Sequence, residues 1–132
     1  MADKVEFELV SPERLLVSKP VDMVVVPGAE GDFGVLKGHA PLISTLRLGV
    51  IDIHDDGRVT ERIFVAGGFA EVTAERCTVL ADEAVALGDL KRSDIEGELK
   101  GLKDRLAVAD SDPERLALAD RIAVADAKLA LV

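Results

Sequence analysis

The chain has 132 residues, 48% of them hydrophobic and 3% aromatic, and a formal net charge of −9. This apolar content is enough to offset the entropy of ordering, so a disordered chain is excluded, and the length allows one core but hardly two full domains. The negative charge argues against nucleic-acid binding, which needs a basic face, and the absence of Trp and Tyr argues against sites built on aromatic stacking.

Up to about residue 83 the apolar residues come in short runs with the spacing of strands. In Val5-Glu6-Phe7-Glu8-Leu9 apolar and acidic residues alternate, which is the period of a half-buried strand. Asp56-Gly57 is typical of a hairpin turn, and other Gly, Pro and Ser pairs predict the remaining turns. Many short strands at this spacing predict an antiparallel β-sandwich or barrel. The further predicted runs are Val21–Val26, Leu42–Leu48, Val50–Ile53, Val59–Val65, Phe69–Thr73 and Cys77–Leu80.

Cys77 is the single cysteine, so no disulfide within the chain is available and a reducing compartment fits. Its strand-like neighbours predict a small buried hydrophobic residue rather than a reactive thiol. The N-terminus shows no signal peptide, and no apolar run approaches the ~20 residues that span a bilayer. We therefore expect a cytosolic protein that reaches a membrane only through a partner.

From about residue 89 the apolar period becomes helical. Two stripes step by four and three residues, which predicts two amphipathic helices joined by a short turn and therefore antiparallel. Ser93-Asp94-Ile95-Glu96 and Ser111-Asp112-Pro113-Glu114 both resemble capping boxes at helix starts. The stripes are Ile95, Leu99, Leu102, Leu106, Ala109 and Leu118, Ile122, Ala125, Leu129, Val132.

These periods divide the chain into residues 1–88, a β-sandwich, and residues 89–132, a helical hairpin. The first region carries 8 basic and 15 acidic side chains, a net charge of −7, and the second carries 8 and 10, a net charge of −2. The acidity therefore belongs to the predicted sandwich, while the hairpin is nearly balanced. A two-helix hairpin of this length has a small core, so we expect it to depend on packing against the sandwich or a partner.

No pattern in the sequence predicts a catalytic or metal site. His39 and His54 lack ligand spacing to another His or Cys, and the Gly-rich turns lack the Lys-Ser/Thr of a phosphate loop. The glycines of Gly67-Gly68 are better explained by a positive φ or by close strand contact. We expect no catalytic residue and no metal on this chain.

Three ordered blocks, ahead of the helical tail, resemble the epsilon subunit of the bacterial F-type ATP synthase. They are Glu30-Gly31-Asp32-Phe33-Gly34-Val35-Leu36-Lys37-Gly38-His39-Ala40-Pro41-Leu42, Val65-Ala66-Gly67-Gly68-Phe69-Ala70-Glu71-Val72 and Thr78-Val79-Leu80-Ala81-Asp82, and Leu9-Val10-Ser11-Pro12-Glu13 near the start adds to them. The resemblance implies a flattened ten-stranded β-sandwich followed by a two-helix hairpin. It also implies a non-catalytic rotor subunit in the central stalk, peripheral to the cytoplasmic face of the bacterial inner membrane. Its partners would be the gamma subunit, the ring of c subunits, and the alpha and beta subunits.

The resemblance also assigns candidate site residues. It places a loop of Glu30, Gly31, Asp32 and His39 against the c-ring. In many bacterial members the hairpin inhibits ATP hydrolysis, and some bind ATP through an Ile/Leu-Asp-x-x-Arg-Ala motif with arginines of the second helix. Here Gly88-Asp89-Leu90-Lys91-Arg92-Ser93 keeps Asp89 and Arg92 but not the apolar residue or the Ala. With Arg115 and Arg121 these two form the candidate nucleotide site, although we expect no resident cofactor.

Two alternatives remain open from the residues. One is a nucleotide-sensing regulatory module, in which the hairpin closes over a small ligand. The other is a free-standing β-sandwich adaptor that binds an unrelated protein through its acidic face.

Overall fold

The computed structural model describes residues 3–132, which form two compact units. The first ends at Ala86, and the second spans Leu87–Val132. The first unit is built of strands and the second of helices, so the predicted fold class is confirmed.

Within residues 3–86, the described part of the first unit, eight strands form one continuous sheet in the order β2-β1-β8-β7-β6-β3-β4, with β5 paired to β7. Every pairing is antiparallel except that of β1 with β8, which is parallel and which the alternating pattern did not predict. The strands are β1 Val5–Val10, β2 Leu15–Val21, β3 Met23–Gly28, β4 Gly31–Val35, β5 Leu42–Thr45, β6 Gly49–Asp55, β7 Arg58–Val72 and β8 Arg76–Ala86.

Two long strands turn this sheet into a sandwich. The first half of β7 pairs with β6 and its second half with β5, while β8 pairs with β7 throughout and with β1 only along its first half. The sheet therefore folds over along β7 and β8, and each of these strands contributes to both layers. This explains why eight strands, rather than the ten that the resemblance implied, make the sandwich.

One apolar core lies between the two layers. Its members come from seven of the eight strands, alternate with outward side chains, and are almost fully shielded from solvent. Residues that are less than 2% exposed and belong to it include Val5, Phe7, Leu9, Val21, Val24, Val26, Val35, Ile51, Ile53, Val65 and Val72.

Two strands were missed by the sequence analysis. β2 contains Pro20, which lacks a backbone N–H. Proline is tolerated at this position because β2 is an edge strand that pairs only with β1. β4 contains Gly31 and Gly34, which disfavour strands, and it forms because β3 pairs with it along its whole length. Half of the segment from Glu30 to His39, which was predicted as a loop, is therefore a strand.

The predicted hairpin turn at Asp56-Gly57 is confirmed. It joins β6 to β7, and φ is 54° at Asp56 and 78° at Gly57. Two consecutive positive φ values are the geometry of a type I′ turn, whose twist matches that of the flanking strands.

The second unit contains a short 3₁₀ helix, Leu87–Asp89, followed by α1, Arg92–Ala107, and α2, Asp112–Leu129. The predicted stripes pack against each other: Ile95, Leu99 and Leu102 of α1 are buried with Leu118 and Ala125 of α2. The remaining stripe residues Leu106, Ala109, Ile122 and Leu129 are partly buried, while Val132 is exposed.

The two predicted capping boxes have different outcomes. At α2 the predicted cap is confirmed, because the Glu114 N–H donates to the Ser111 hydroxyl over 3.3 Å, and Pro113 is the second residue of the helix. At α1 the prediction is wrong, because the helix begins one residue before Ser93 and its N-cap is Lys91, which makes no side-chain capping bond.

Candidate partner-binding surfaces

The surface of the sandwich carries a row of apolar side chains across four adjacent strands. The pairings Phe69 with Leu80, Leu80 with Val10, and Val10 with Leu15 place these residues directly opposite one another in β7, β8, β1 and β2. Directly paired residues lie on the same face, and their chain neighbours Leu9, Ala70 and Val79 point into the core. We call Val10, Leu15, Phe69 and Leu80 the apolar row.

The apolar row is exposed and concave. Phe69 and Leu80 are 41% and 40% exposed, and Leu15 is 56% exposed. Val10, Phe69 and Leu80, together with Pro12 and Gly68, line a depression of about 240 Å³. Contiguous exposed apolar groups on one face are typical of protein-binding surfaces.

Acidic side chains border this depression. Asp82 lies in its wall, and an adjoining depression is lined by Glu13, Arg14, Asp82 and Glu83. The surface is therefore complementary to a partner that presents apolar side chains flanked by basic ones.

The sequence analysis missed the apolar row. Its one signal was the uninterrupted apolar run Val79-Leu80-Ala81, where a strand with one solvated face would alternate. Nothing in the sequence brings Leu15 and Phe69 to the same face, since that depends on the parallel pairing of β1 with β8.

A second exposed feature is the tip of the β3–β4 hairpin, where Glu30, Gly31 and Asp32 lie. Arg47 holds this tip: one guanidinium nitrogen donates to the Gly28 carbonyl over 2.8 Å, and the other donates to the Asp32 carboxylate. The turn is therefore rigidly placed, while Glu30 and Gly31 stay exposed.

His39 lies away from this tip. Four residue steps of β4 separate Gly31 from Val35, about 13 Å at the rise of a strand, and His39 follows beyond the far end. There its backbone N–H donates to Leu36, and the Gly38 N–H donates to Ala74 in the β7–β8 turn. The structure thus brings together Glu30, Gly31 and Asp32 of the predicted c-ring set, but not His39.

The predicted nucleotide residues are distributed along the hairpin. Arg92, at the start of α1, donates to the Val132 carbonyl and lies 3.9 Å from Glu96. Arg115, at the start of α2, donates to the Ala109 carbonyl over 2.7 Å and to Asp112 over 2.8 Å. The 16 residues of α1 lie between these ends, about 24 Å of helix.

Of the two other members, Asp89 lies three residues before Arg92, and Arg121 lies between the two ends. Arg121 is 3.8 Å from Glu98 across the hairpin, and Asp89 is exposed in the 3₁₀ helix. A depression of about 730 Å³ on the hairpin includes Arg92, but its cations Lys100 and Lys103 alternate with Glu96 and Asp104. The geometry does not bring Asp89, Arg92, Arg115 and Arg121 to one site.

The carboxylates of three acidic residues, Asp22, Asp55 and Asp56, lie close enough together to hold a cation. The Lys4 ammonium is a cation that already lies beside two of them. The Lys4 ammonium lies 2.6 Å from Asp55 and 3.4 Å from Asp22, and the Asp56 N–H donates to Asp22. The hydrogen bond to Lys4 lowers the pKa of Asp55, and the same bond raises the pKa of Lys4. This cluster ties the start of β1 to two turns.

Cys77 is fully buried in β8, as predicted, and burial raises the pKa of its thiol to about 12. A thiol with such a pKa stays protonated at neutral pH and is a poor nucleophile.

Comparison with known proteins decides the family. Residues 4–87 match the family described as ATP synthase, Delta/Epsilon chain, beta-sandwich domain. The ATP synthase epsilon chain of Rhodospirillum centenum is 58% identical over 137 residues, covering 100% of this chain and 94% of that protein. This chain belongs to the ATP synthase epsilon-chain family.

Another epsilon chain, from Rhodospirillum rubrum, is 59% identical over 115 residues, covering 87% of this chain and 86% of the relative. Chains of two solved structures share the fold. A chain of the Euglena gracilis mitochondrial ATP synthase, solved with OSCP, F1 and the c-ring, has a TM-score of 0.79 and 21% identity over 98% of this chain and 81% of that chain.

A chain of the Tetrahymena thermophila mitochondrial ATP synthase central stalk and c-ring has a TM-score of 0.64 and 14% identity, covering 95% of this chain and 93% of that chain. The family resemblance read from the three sequence blocks is confirmed. Among residues 3–132, neither helix combines the length and the apolar character that a bilayer crossing requires.

Proposed function

We propose that this chain is a non-catalytic central-stalk subunit of an F-type ATP synthase. It turns with the gamma subunit and the c-ring and so couples proton flow to ATP synthesis at the alpha and beta subunits. Its membership of the epsilon-chain family supports this assignment. The observation that carries the mechanism is the apolar row, which offers a rigid sheet face for a partner instead of a reactive pocket.

We assign the apolar row to the gamma subunit. Four apolar side chains in register on one sheet face bury well against a helix or a strand of a partner, and a few well-buried residues carry most of the binding energy of such a surface. The acidic border restricts the partner to one with basic flanks. In this arrangement Phe69 and Leu80, which line the depression, are the main contacts, and Asp82 lies in its wall.

Substitution of Phe69 and Leu80 together tests this assignment. Phe69→Asp with Leu80→Asp should weaken binding to the gamma subunit at least 100-fold, because both groups lose apolar burial and place a charge in the interface. Val59→Asp is a matched control, since Val59 is 43% exposed on β7 beyond the apolar row. Equal loss in both variants, or retained binding in the double variant that is folded by circular dichroism, would contradict the assignment.

We assign the β3–β4 tip to the c-ring. Glu30 and Asp32 are exposed there on a turn that Arg47 holds in place, so their charges can fix the register of a contact with polar c-subunit loops. In a Cys77→Ser background, cysteine at Glu30 or Asp32 should crosslink to cysteine in the c-subunit loop. Cysteine at His39, beyond the far end of β4, should not.

Reversal of both charges should reduce the number of protons pumped for each ATP hydrolysed. Crosslinks at position 39 but not at positions 30 and 32, with proton pumping unchanged by charge reversal, would overturn the c-ring assignment.

We further propose that the subunit is peripheral to the cytoplasmic face of the bacterial inner membrane and attached only through these partners. Washing membranes with a low-salt chelating buffer that detaches the catalytic sector should release it together with the gamma subunit. Retention on membranes freed of gamma would contradict this location.

We propose that residues 89–132 regulate the complex and hold no resident nucleotide. Arg115 and Arg121 have carboxylate or carbonyl partners in the hairpin, which ATP phosphates would have to displace. Titration of the isolated chain with ATP and Mg²⁺ should show no saturable binding at millimolar concentration. Saturable binding that Arg92→Ala or Arg121→Ala abolishes would favour the nucleotide-sensing alternative.

A further inference from the structure

Residues 45–47, which lead from β5 towards β6, are bonded on one side to the base of the β3–β4 tip. The Ala29 N–H donates to the Thr45 carbonyl over 2.9 Å, and the Arg47 N–H donates to the Pro27 carbonyl over 3.0 Å. The backbone on the β3 side of the tip is therefore paired with residues 45–47 as in an antiparallel ladder.

On the other side, the same residues are bonded to β7 beside the apolar row. The Leu46 N–H donates to the Gly68 carbonyl over 3.0 Å, and Thr45 lies opposite Phe69 in the pairing of β5 with β7. Phe69 belongs to the apolar row, and Gly68 lines the same depression. The Leu46 side chain is 8% exposed and belongs to the core of the sandwich. Residues 45–47 therefore join the tip to the apolar row through backbone hydrogen bonds.

The turn at the tip needs a further tie, because its own backbone is permissive. Residues 29–30 form the turn between Gly28 and Gly31, and Gly31 has a φ of 134°. β4 is an edge strand that pairs only with β3. The Arg47 guanidinium supplies the tie, since its two nitrogens bond the Gly28 carbonyl on one side of the turn and the Asp32 carboxylate on the other. A guanidinium holds two acceptors in a fixed fork, which the single ammonium of lysine does not.

We infer that Arg47 is a positioning residue that fixes the acidic tip at one distance from the apolar row. Its N–H and its guanidinium hold the tip, while its neighbour Leu46 is anchored to β7. Any movement of the tip relative to the row must break these bonds, so a partner at the tip and a partner at the row move as one. The consequence for coupling rests on the proposed function, in which these partners are the c-ring and the gamma subunit, but the positioning itself does not.

Amide hydrogen exchange on the full chain tests the inference, under conditions where exchange reports the opening equilibrium. Arg47→Met keeps the unbranched stem but removes both donors, so the Ala29 amide should exchange about tenfold faster. The Leu46 amide, anchored to β7, should change less than twofold. Arg62→Met is the matched control, because Arg62 also donates to an aspartate, Asp52 in the middle of β6, and it should change neither amide more than twofold.

Arg47→Lys separates the charge of this side chain from its geometry. Lysine keeps the charge but not the fork, so the Ala29 amide should still exchange faster than in the native protein, by less than tenfold. Ala29 exchange that is unchanged in Arg47→Met, or that is equally fast in Arg62→Met, would overturn the inference. Equal acceleration of the Ala29 and Leu46 amides would also contradict it, since that result would show a general loss of stability.

The assembled complex tests the consequence for coupling. Arg47→Met should lower the number of protons pumped for each ATP hydrolysed, while the affinity of the chain for the gamma subunit stays within twofold of the native value. A residue that only stabilised the fold would not separate these two measurements. Faster Ala29 exchange with unchanged proton pumping would support the positioning role and count against the c-ring assignment, so the two can fail separately.

Discussion

At the scale of single residues, Gly68 shows how one backbone position shapes the sandwich. Its φ is 108°, and an added Cβ would lie 2.0 Å from the Leu80 carbonyl oxygen. Gly67, beside it, has a φ of 75°, and the chain at this pair passes from the β6 side of β7 to the β5 side. The sequence expectation that these glycines serve a positive φ or close contact is confirmed. The prediction that the pair forms a turn between two strands is wrong, because β7 continues through both glycines.

Gly68→Ala should therefore destabilise the protein by at least about 2 kcal/mol, since alanine is strained at this φ and its Cβ overlaps backbone that cannot move freely. Urea unfolding of the full chain measures the change. Gly38→Ala separates the two causes, because Gly38 also has a positive φ, of 90°, but open surroundings. A loss no greater in Gly68→Ala than in Gly38→Ala would mean that the close contact with Leu80 contributes nothing.

The Lys4–Asp55 contact predicts a pH dependence. The pKa of Asp55 is lowered below its ordinary value of 3.8 by Lys4, so the contact stabilises the fold above that pH and is lost as pH falls through the lowered value. The pKa of Lys4 is raised above 10.5, so the stabilisation that depends on the charged Lys4 ammonium is lost only as pH rises through the raised value.

The difference in unfolding free energy between the native protein and Lys4→Met should then be constant from pH 5 to 9 and fall towards zero in acid, below about pH 3.8. Denaturant unfolding across this range measures it. Lys37→Met, in an exposed turn, is the control. A difference that persists unchanged to pH 2 would show that the ion pair is not its source.

At the scale of elements, the two helices show what a local pattern can and cannot specify. Both starts have a Ser followed three residues later by Glu, yet only Ser111 caps a helix. At α1 the preceding residues Lys91 and Arg92 already have the geometry of a helix start, which places Ser93 inside the first turn. The spacing alone does not decide between these outcomes.

Ser111→Ala should cost about 1 kcal/mol, because the Glu114 N–H loses its acceptor at a helix end. Ser93→Ala should change stability by less than about 0.5 kcal/mol, since no cap is removed there. Thermal unfolding followed at 222 nm compares the two variants. Equal losses at both positions would contradict the assigned helix starts.

The missed strands belong to the same scale. β4 has a poor strand sequence, with Gly31 and Gly34, and β2 contains Pro20. Each forms through antiparallel pairing with a better strand just before it in the chain, β3 for β4 and β1 for β2, so its own residues do not predict it. Whether a segment forms a strand depends largely on the residues that pack against it from the paired strand, and the segment's own sequence does not specify those residues.

At the scale of the whole molecule, two units with separate cores predict separable functions. One core lies within the sandwich and the other within the hairpin. Removal of residues 89–132 leaves every strand and the apolar row intact.

The truncated protein, residues 1–88, should therefore unfold cooperatively and bind the gamma subunit within threefold of the full chain. The assembled complex that contains it should hydrolyse ATP faster than the complex with the full chain, while synthesis stays coupled. A Leu99→Ala variant, which removes apolar contacts from the hairpin core, should also raise the rate of ATP hydrolysis, but by less than the truncation does. An aggregated fragment would contradict the separation of units, and unchanged hydrolysis would contradict an inhibitory hairpin.

The sequence by itself determined the two periodicities, the turn at Asp56-Gly57, the burial of Cys77 and the family. These features depend on the local spacing of residues or on the order of short sequence blocks, and both can be observed directly in the sequence. The tertiary structure decided the parallel pairing of β1 with β8, the strands β2 and β4, and the apolar row. It also separated His39 from Glu30 and distributed the four candidate nucleotide residues along the hairpin. The physical reason is that a surface is formed by residues from distant strands, and their meeting depends on pairing register, which strand sequences specify only jointly.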